Sequence, residues 1–161
     1  MSAAWHISVA FSIAPVLMRK TSPDFGPFNL GMTHHFCERL KELLLQPRLA
    51  KTSLVYYTST APHDITNAIF LLGAFLVSHL DASPEQAWAP FCKLSGVVKP
   101  YRDATWCASP YDLKLIHCFE GLHKAMKTGI YHPDRFDEEE YFYCKLSLEV
   151  CPPLGAACRQ T

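Results

Sequence analysis

The sequence predicts an α/β domain, with a central sheet flanked by helices and a helical cluster toward the C-terminus. Three observations carry that prediction. The 161 residues are 49% hydrophobic and 19% charged, a globular balance with enough chain for one core. Residues 5–13 and the run Leu54-Val55-Tyr56-Tyr57-Thr58 have the period or the residue types of strands. Between and after them, apolar residues recur at helical spacing behind recognisable helix starts. The order strand, helix, strand, helix, then further helices is that of an α/β domain capped by helices.

The first strand rests on alternation: Trp5, Ile7, Val9, Phe11 and Ile13 interleave with Ala4, His6, Ser8, Ala10 and Ser12. A signal peptide fits less well, because no basic residue precedes the apolar run and Arg19-Lys20 follow it. Pro23-Asp24-Phe25-Gly26-Pro27 is a turn into a helix whose stripe is Phe28, Met32, Phe36, Leu40, Leu43 and Leu44, ended by Gln46-Pro47. Leu54 to Thr58 is expected as a central strand and Ser59 to His63 as a loop. Asp64 is placed to cap a helix that is apolar all round from Ala68 to Leu72. The apolar stretch Ala68 to Val77 is too short to span a bilayer.

Ser83-Pro84-Glu85-Gln86 carries a serine N-cap, a proline at the first helical position and the glutamine of a capping box. Ser109-Pro110-Tyr111-Asp112 repeats that logic and predicts a helix to about Thr128, stopped by Gly129. Asp137-Glu138-Glu139-Glu140 opens a last helix with acid at its positive end. The domain is expected over residues 1–149, and 150–161, with Cys151-Pro152-Pro153, as tail or linker.

Composition excludes several function classes. Fifteen basic residues offset fifteen acidic ones, which argues against a nucleic-acid or anionic-membrane partner. Cys37, Cys92, Cys107, Cys118, Cys144, Cys151 and Cys158 are odd in number and scattered. That spacing predicts neither a disulfide framework nor a zinc site, so no metal or cofactor is expected. Buried, reduced thiols are the expectation, in a reducing compartment, nuclear or cytoplasmic. His34 and His35 are expected at the surface or rim of the first helix.

One catalytic signature nearly fits. Cysteine phosphatases use His-Cys, five residues, then Arg, with the thiolate in a loop of backbone N–H groups that cradles phosphate. His117-Cys118 is followed by Lys124 in place of Arg, which loses the bidentate fork, and Glu120 puts negative charge where an anion would sit. Leu113, Ile116, Phe119, Leu122 and Met126 also run a helical stripe through it. A mid-helix Cys118 lacks free amides, so no catalytic residue is expected. The unit Leu54 to Val77 has the strand–loop–helix layout of a phosphate-binding loop, yet Ser59-Thr60-Ala61-Pro62-His63-Asp64 holds no Cys, Arg or Gly.

At this point a family resemblance becomes visible. Asp24-Phe25-Gly26-Pro27-Phe28-Asn29-Leu30 resembles a segment in the N-terminal domain of the mitotic-exit dual-specificity phosphatases, the cell-division-cycle fourteen family. Collinear matches follow at Val55-Tyr56-Tyr57-Thr58, Asn67-Ala68 with Phe70-Leu71 and Gly73-Ala74, and Pro84-Glu85-Gln86-Ala87. They continue at Pro100-Tyr101-Arg102-Asp103-Ala104 and at Phe136-Asp137 with Glu140-Tyr141, so the resemblance covers roughly Val9 to Leu148.

The resemblance implies a degenerate dual-specificity-phosphatase-like fold that has lost its own active site. It implies packing against a catalytic phosphatase domain, in cis in a longer product or in trans, and one wall of an acidic groove for phosphoprotein substrates. Ser59, Thr60, His63 and Asp64 then match a degenerate phosphate loop. Asp137, Glu138, Glu139, Glu140, Arg102 and Asp103 become groove candidates. For the acidic run, a solvated helix start is an equal reading, and for Arg102-Asp103 a structural loop contact is favoured. Phe142 and Lys145 stand near places where the family carries acid, which weakens the expected wall.

The chain alone is therefore expected to be inactive, a non-catalytic substrate-groove and interaction domain. The alternatives are a stand-alone phosphatase using Cys118 and a free-standing phosphoprotein-binding adaptor.

Overall fold

A computed structural model describes residues 25–49, 54–102 and 111–143. The expected strand at 5–13, the tail from 150, Asp103, Ser109-Pro110, Lys145 and Cys107, Cys144, Cys151 and Cys158 lie outside these residues. What is described is mostly helical, around one buried helix.

Helix α1 spans Leu30–Leu44, and Asn29 caps it by accepting from the Met32 amide at 2.9 Å. It buries Phe36, Cys37, Leu40 and Leu43, while Phe28 precedes the helix and Leu44 is exposed. Helix α2, Pro62–His79, is the centre of the molecule and packs against α1 and the two helices that follow. Its apolar residues face all sides, so Ile69, Phe70, Leu71, Ala74, Phe75 and Val77 are all buried. It begins before the residue expected to cap it: Ala61 is the N-cap, Pro62 occupies the first turn, and Asp64 lies inside the helix.

Helix α3, Pro84–Trp88, has the expected capping box, with Ser83 accepting from the Gln86 amide and Gln86 reaching back to the Ser83 amide. A 3-10 stretch, Ala89–Leu94, continues it. Strands β1, Tyr101–Arg102, and β2, Asp112–Leu113, pair antiparallel, Tyr101 opposite Leu113. Helix α4, Leu115–Lys127, follows, stopped at Gly129, whose φ of +74° suits glycine. Residues 138–143 are helical, and Asp137 caps them by accepting from the Glu140 amide at 2.9 Å.

Three expectations change. The central sheet is not present among the described residues, where the sheet is the β1–β2 pair. Leu54 to Thr58 contributes one bridge residue, Tyr56. Leu54 is buried and Tyr56 half-buried against Phe36, but Val55 and Tyr57 face solvent. A central strand would bury both faces, so this run covers the core from one side. The helix expected behind Ser109-Pro110 begins only at Leu115, because Asp112 and Leu113 are drawn into pairing with β1.

Two close approaches hold the helices together. Phe119 of α4 is fully buried against Gly73 of α2, where a Cβ would run into its ring. Tyr101, also fully buried, donates from its hydroxyl to Asn67 Oδ1 at 3.0 Å and is flanked by Phe25 and Phe70. Among the described residues, no helix is long and apolar enough to cross a membrane.

Candidate functional site

The loop ahead of α2 is the first place to look for anion chemistry, since the first amides of a long helix point there with its dipole. An acidic side chain already lies in that turn. Asp64 sits in the first turn and accepts a hydrogen bond from the Ser59 hydroxyl, whose oxygen in turn accepts from the Ala61 amide at 3.1 Å. His63 lies on the Phe25 ring with centroids 4.0 Å apart. Thr60 is exposed, and the hydroxyl of Thr66 accepts from the Lys99 amide at 2.9 Å, tying the helix start to the approach of β1. A carboxylate already occupies the positive end, so a phosphate brought there meets like charge.

Arg102 joins this region through its backbone: its amide donates to the Phe25 carbonyl at 3.1 Å. Phe25 thus touches His63 on one side and Tyr101 on the other, bringing β1 beside the loop.

Cys118 is on a helix, as expected, but near its start rather than in the middle. It is the fourth residue of α4, and its amide bonds to the Lys114 carbonyl. A helix start favours a thiolate. Burial wins instead and pushes the Cys118 thiol up to about 11. His117 is committed elsewhere: its Nδ1 lies 2.9 Å from the Tyr111 hydroxyl and 3.4 Å from the Lys114 amide. An amide only donates, so Nδ1 is the acceptor and His117 latches the helix start. Neither Cys37, Cys92 nor Cys118 has an arginine six positions on; Leu43, Val98 and Lys124 stand there.

The acidic run divides. Asp137 is spent on capping, and Glu138 faces His35 at 3.4 Å, while Glu139 and Glu140 are exposed. Asp137 and Glu140 line an open cleft of about 460 Å³ with Ile130, His132, Arg135 and Tyr141. Its charge is mixed, not purely acidic. Phe142, near the expected weak point, packs on Gly31 of α1.

The histidine expectation is overturned for His34. It is 6% exposed, its Nδ1 lies 3.0 Å from the Tyr131 hydroxyl, and its ring meets Phe136. Burial lowers its pKa from the ordinary value. His35 is exposed, as expected. The polar network around them was missed in the sequence: His79 Nε2 bonds to Glu38 Oε1 at 2.8 Å, and Lys41 reaches both Glu38 and Asp134. The signal was there, since Gly31, His34, His35, Glu38 and Lys41 fall on one face by steps of three and four.

The thiol expectation holds in part. Cys37 is buried and its thiol pushed up to about 12, chiefly by desolvation, whereas Cys92 is exposed. Among the described residues, no group of three or more His, Cys, Asp or Glu could hold a metal ion.

Comparison with known protein families covers the segments up to α4 and does not extend to the acidic run at Asp137 to Glu140. The family model described as dual specificity protein phosphatase, N-terminal half, matches residues 8–125. The chain is 37% identical over 121 residues to dual specificity protein phosphatase CDC14A of Mus musculus and 36% identical over 121 residues to that of Homo sapiens. Each match covers 73% of this chain and 20% of the relative. The tyrosine-protein phosphatase CDC14 of Candida albicans is 26% identical over 118 residues, 73% of this chain and 22% of that protein. The chain therefore spans about a fifth of the length of these curated relatives.

Proposed function

This chain belongs to the family of the N-terminal half of dual specificity protein phosphatases, and from that premise we propose that it is a non-catalytic interaction domain of such an enzyme. Its fold is a degenerate relative of the catalytic one, and its structural unit is residues 1–149. It packs on a catalytic phosphatase domain, in cis in a longer product or in trans, and presents Asp137 to Glu140 and Arg102 toward phosphoprotein substrates. Its setting is nuclear or cytoplasmic, where thiols stay reduced.

The observation that supports this reading is the candidate phosphate loop: Asp64, held by Ser59, puts a carboxylate in the first turn of α2, where a phosphate would meet like charge. Cys118 adds support, because a thiol near 11 is a thiolate in only about one molecule in a thousand at pH 8.

The test is turnover of an aryl phosphate by the full chain, with Cys118→Ser beside it. No turnover above buffer in either protein is expected. Activity in the chain that disappears in Cys118→Ser would make it a stand-alone phosphatase. A free-standing adaptor would instead retain phosphopeptides over their unphosphorylated forms with no catalytic domain present.

A further inference from the structure

Helix α1 has two working faces. One buries Phe36, Cys37, Leu40 and Leu43; the other receives the segment that follows α4. Along that second face, Gly31 leaves room for the rings of Tyr141 and Phe142, and His34 meets Tyr131 and Phe136. His35 faces Glu138 at 3.4 Å, and Lys41 faces Asp134 at 3.5 Å. The carboxylate pairs are exposed and contribute little. The contact between His34 and Tyr131 is buried on both sides, with Tyr131 2% exposed.

We propose that His34 is a proton-operated latch: residues 131–142 dock on α1 while its ring is neutral and are released locally when it takes a proton. A neutral imidazole satisfies the Tyr131 hydroxyl through Nδ1 without bringing charge into the aromatic surround. An imidazolium there loses its hydration. Glu138, across the interface, and Glu38, on the same helix, favour the cation; His79 of α2 and neighbouring His35 oppose it. Burial is the largest influence, and the ring is held below the ordinary histidine value.

The sign follows from linkage. A released His34 protonates near the ordinary value of about 6.5, a docked one only at lower pH. Docking is therefore at full strength above about pH 6.5, weakens as pH falls below it, and levels off once the docked ring also titrates. The core elements α2 and α4 do not depend on this contact, so the opening is confined to the segment.

Hydrogen exchange on the full chain at pH 7.5 and 5.5, corrected for intrinsic rates, tests this. The amides of Glu140 and Tyr141, bonded within the segment to the Asp137 side chain and carbonyl, report its order. Their protection relative to α2 is expected to fall by up to about tenfold at the lower pH. His34→Gln can still bond to Tyr131 but takes no proton, and should abolish the fall. Equal protection at both pH values in the unsubstituted chain, or a fall that persists in His34→Gln, overturns the latch. If His34→Gln fails to fold, an NMR titration of the His34 ring decides: a midpoint below 6.5 supports the latch and one at or above it overturns it.

Discussion

Cys37, Cys92 and Cys118 share a chemistry and differ only in what surrounds them. Burial raises Cys37 to about 12 and Cys118 to about 11, while Cys92 sits on the surface. Alkylation with iodoacetamide at pH 8, mapped by mass spectrometry, should therefore label Cys92 at least tenfold faster than Cys118, with Cys37 slowest. Labelling of Cys118 at the rate of Cys92 would show an exposed or activated thiol and undo the argument from burial. Phe119 is the other residue whose surroundings decide its worth. Fully buried against Gly73, it leaves a cavity when truncated, and Phe119→Ala should cost about 3–5 kcal/mol in chemical denaturation. A loss below about 1 kcal/mol would mean that the α2–α4 contact is not packed as described. His34 shows what residue type alone conceals. A histidine pair beside Thr33 reads as surface, and only the partners Tyr131 and Phe136, far along the chain, bury one of the two.

Elements were legible in the sequence where their signals are local. The α3 capping box, the glycine stop after α4, and the helix opened by the acidic run at Asp137 each depend on a few neighbouring residues and are present as read. Replacing Ser83 by Ala removes the acceptor for the Gln86 amide, and should lower stability by about 1 kcal/mol as seen in denaturant midpoints. An unchanged midpoint would mean that solvent replaces the cap at no cost. Legibility fails where pairing at a distance decides. Asp112 could have joined a helix, but its register with Arg102 in the β1–β2 pair delays α4 to Leu115. Asp64 looked like a cap because it precedes the apolar run, yet Pro62 starts the helix earlier and Asp64 becomes its internal counter-charge. The same shift puts a carboxylate in the first turn of α2, beside the candidate phosphate loop.

At the scale of the molecule, α1, α2 and α4 share one hydrophobic core, and a polar network at its edge ties α1 to the end of α2 and to the turn after α4. Glu38 is the hub, bonded to His79 at the end of α2 and to Lys41, which also reaches Asp134 in the turn after α4. Partial burial would raise the Glu38 carboxyl, but the bonds from His79 and Lys41 outweigh it and hold it below the ordinary carboxylate value. The resulting stability is fully present above the unfolded value of about 4.3 and is lost as pH falls through the lower folded one. His34 acts in a higher window, where stability declines below about pH 6.5. Acid should thus lower the stability of the full chain in two ranges: a local loosening below about pH 6.5 and a further loss below about pH 4.3. Thermal melts from pH 8 to 3 check this, with Glu38→Gln flattening only the lower range and His34→Gln only the upper. One substitution flattening both would mean that the His34 contact and the Glu38 carboxylate titrate as a single unit, and that the edge network cannot open at the 131–142 segment without the core.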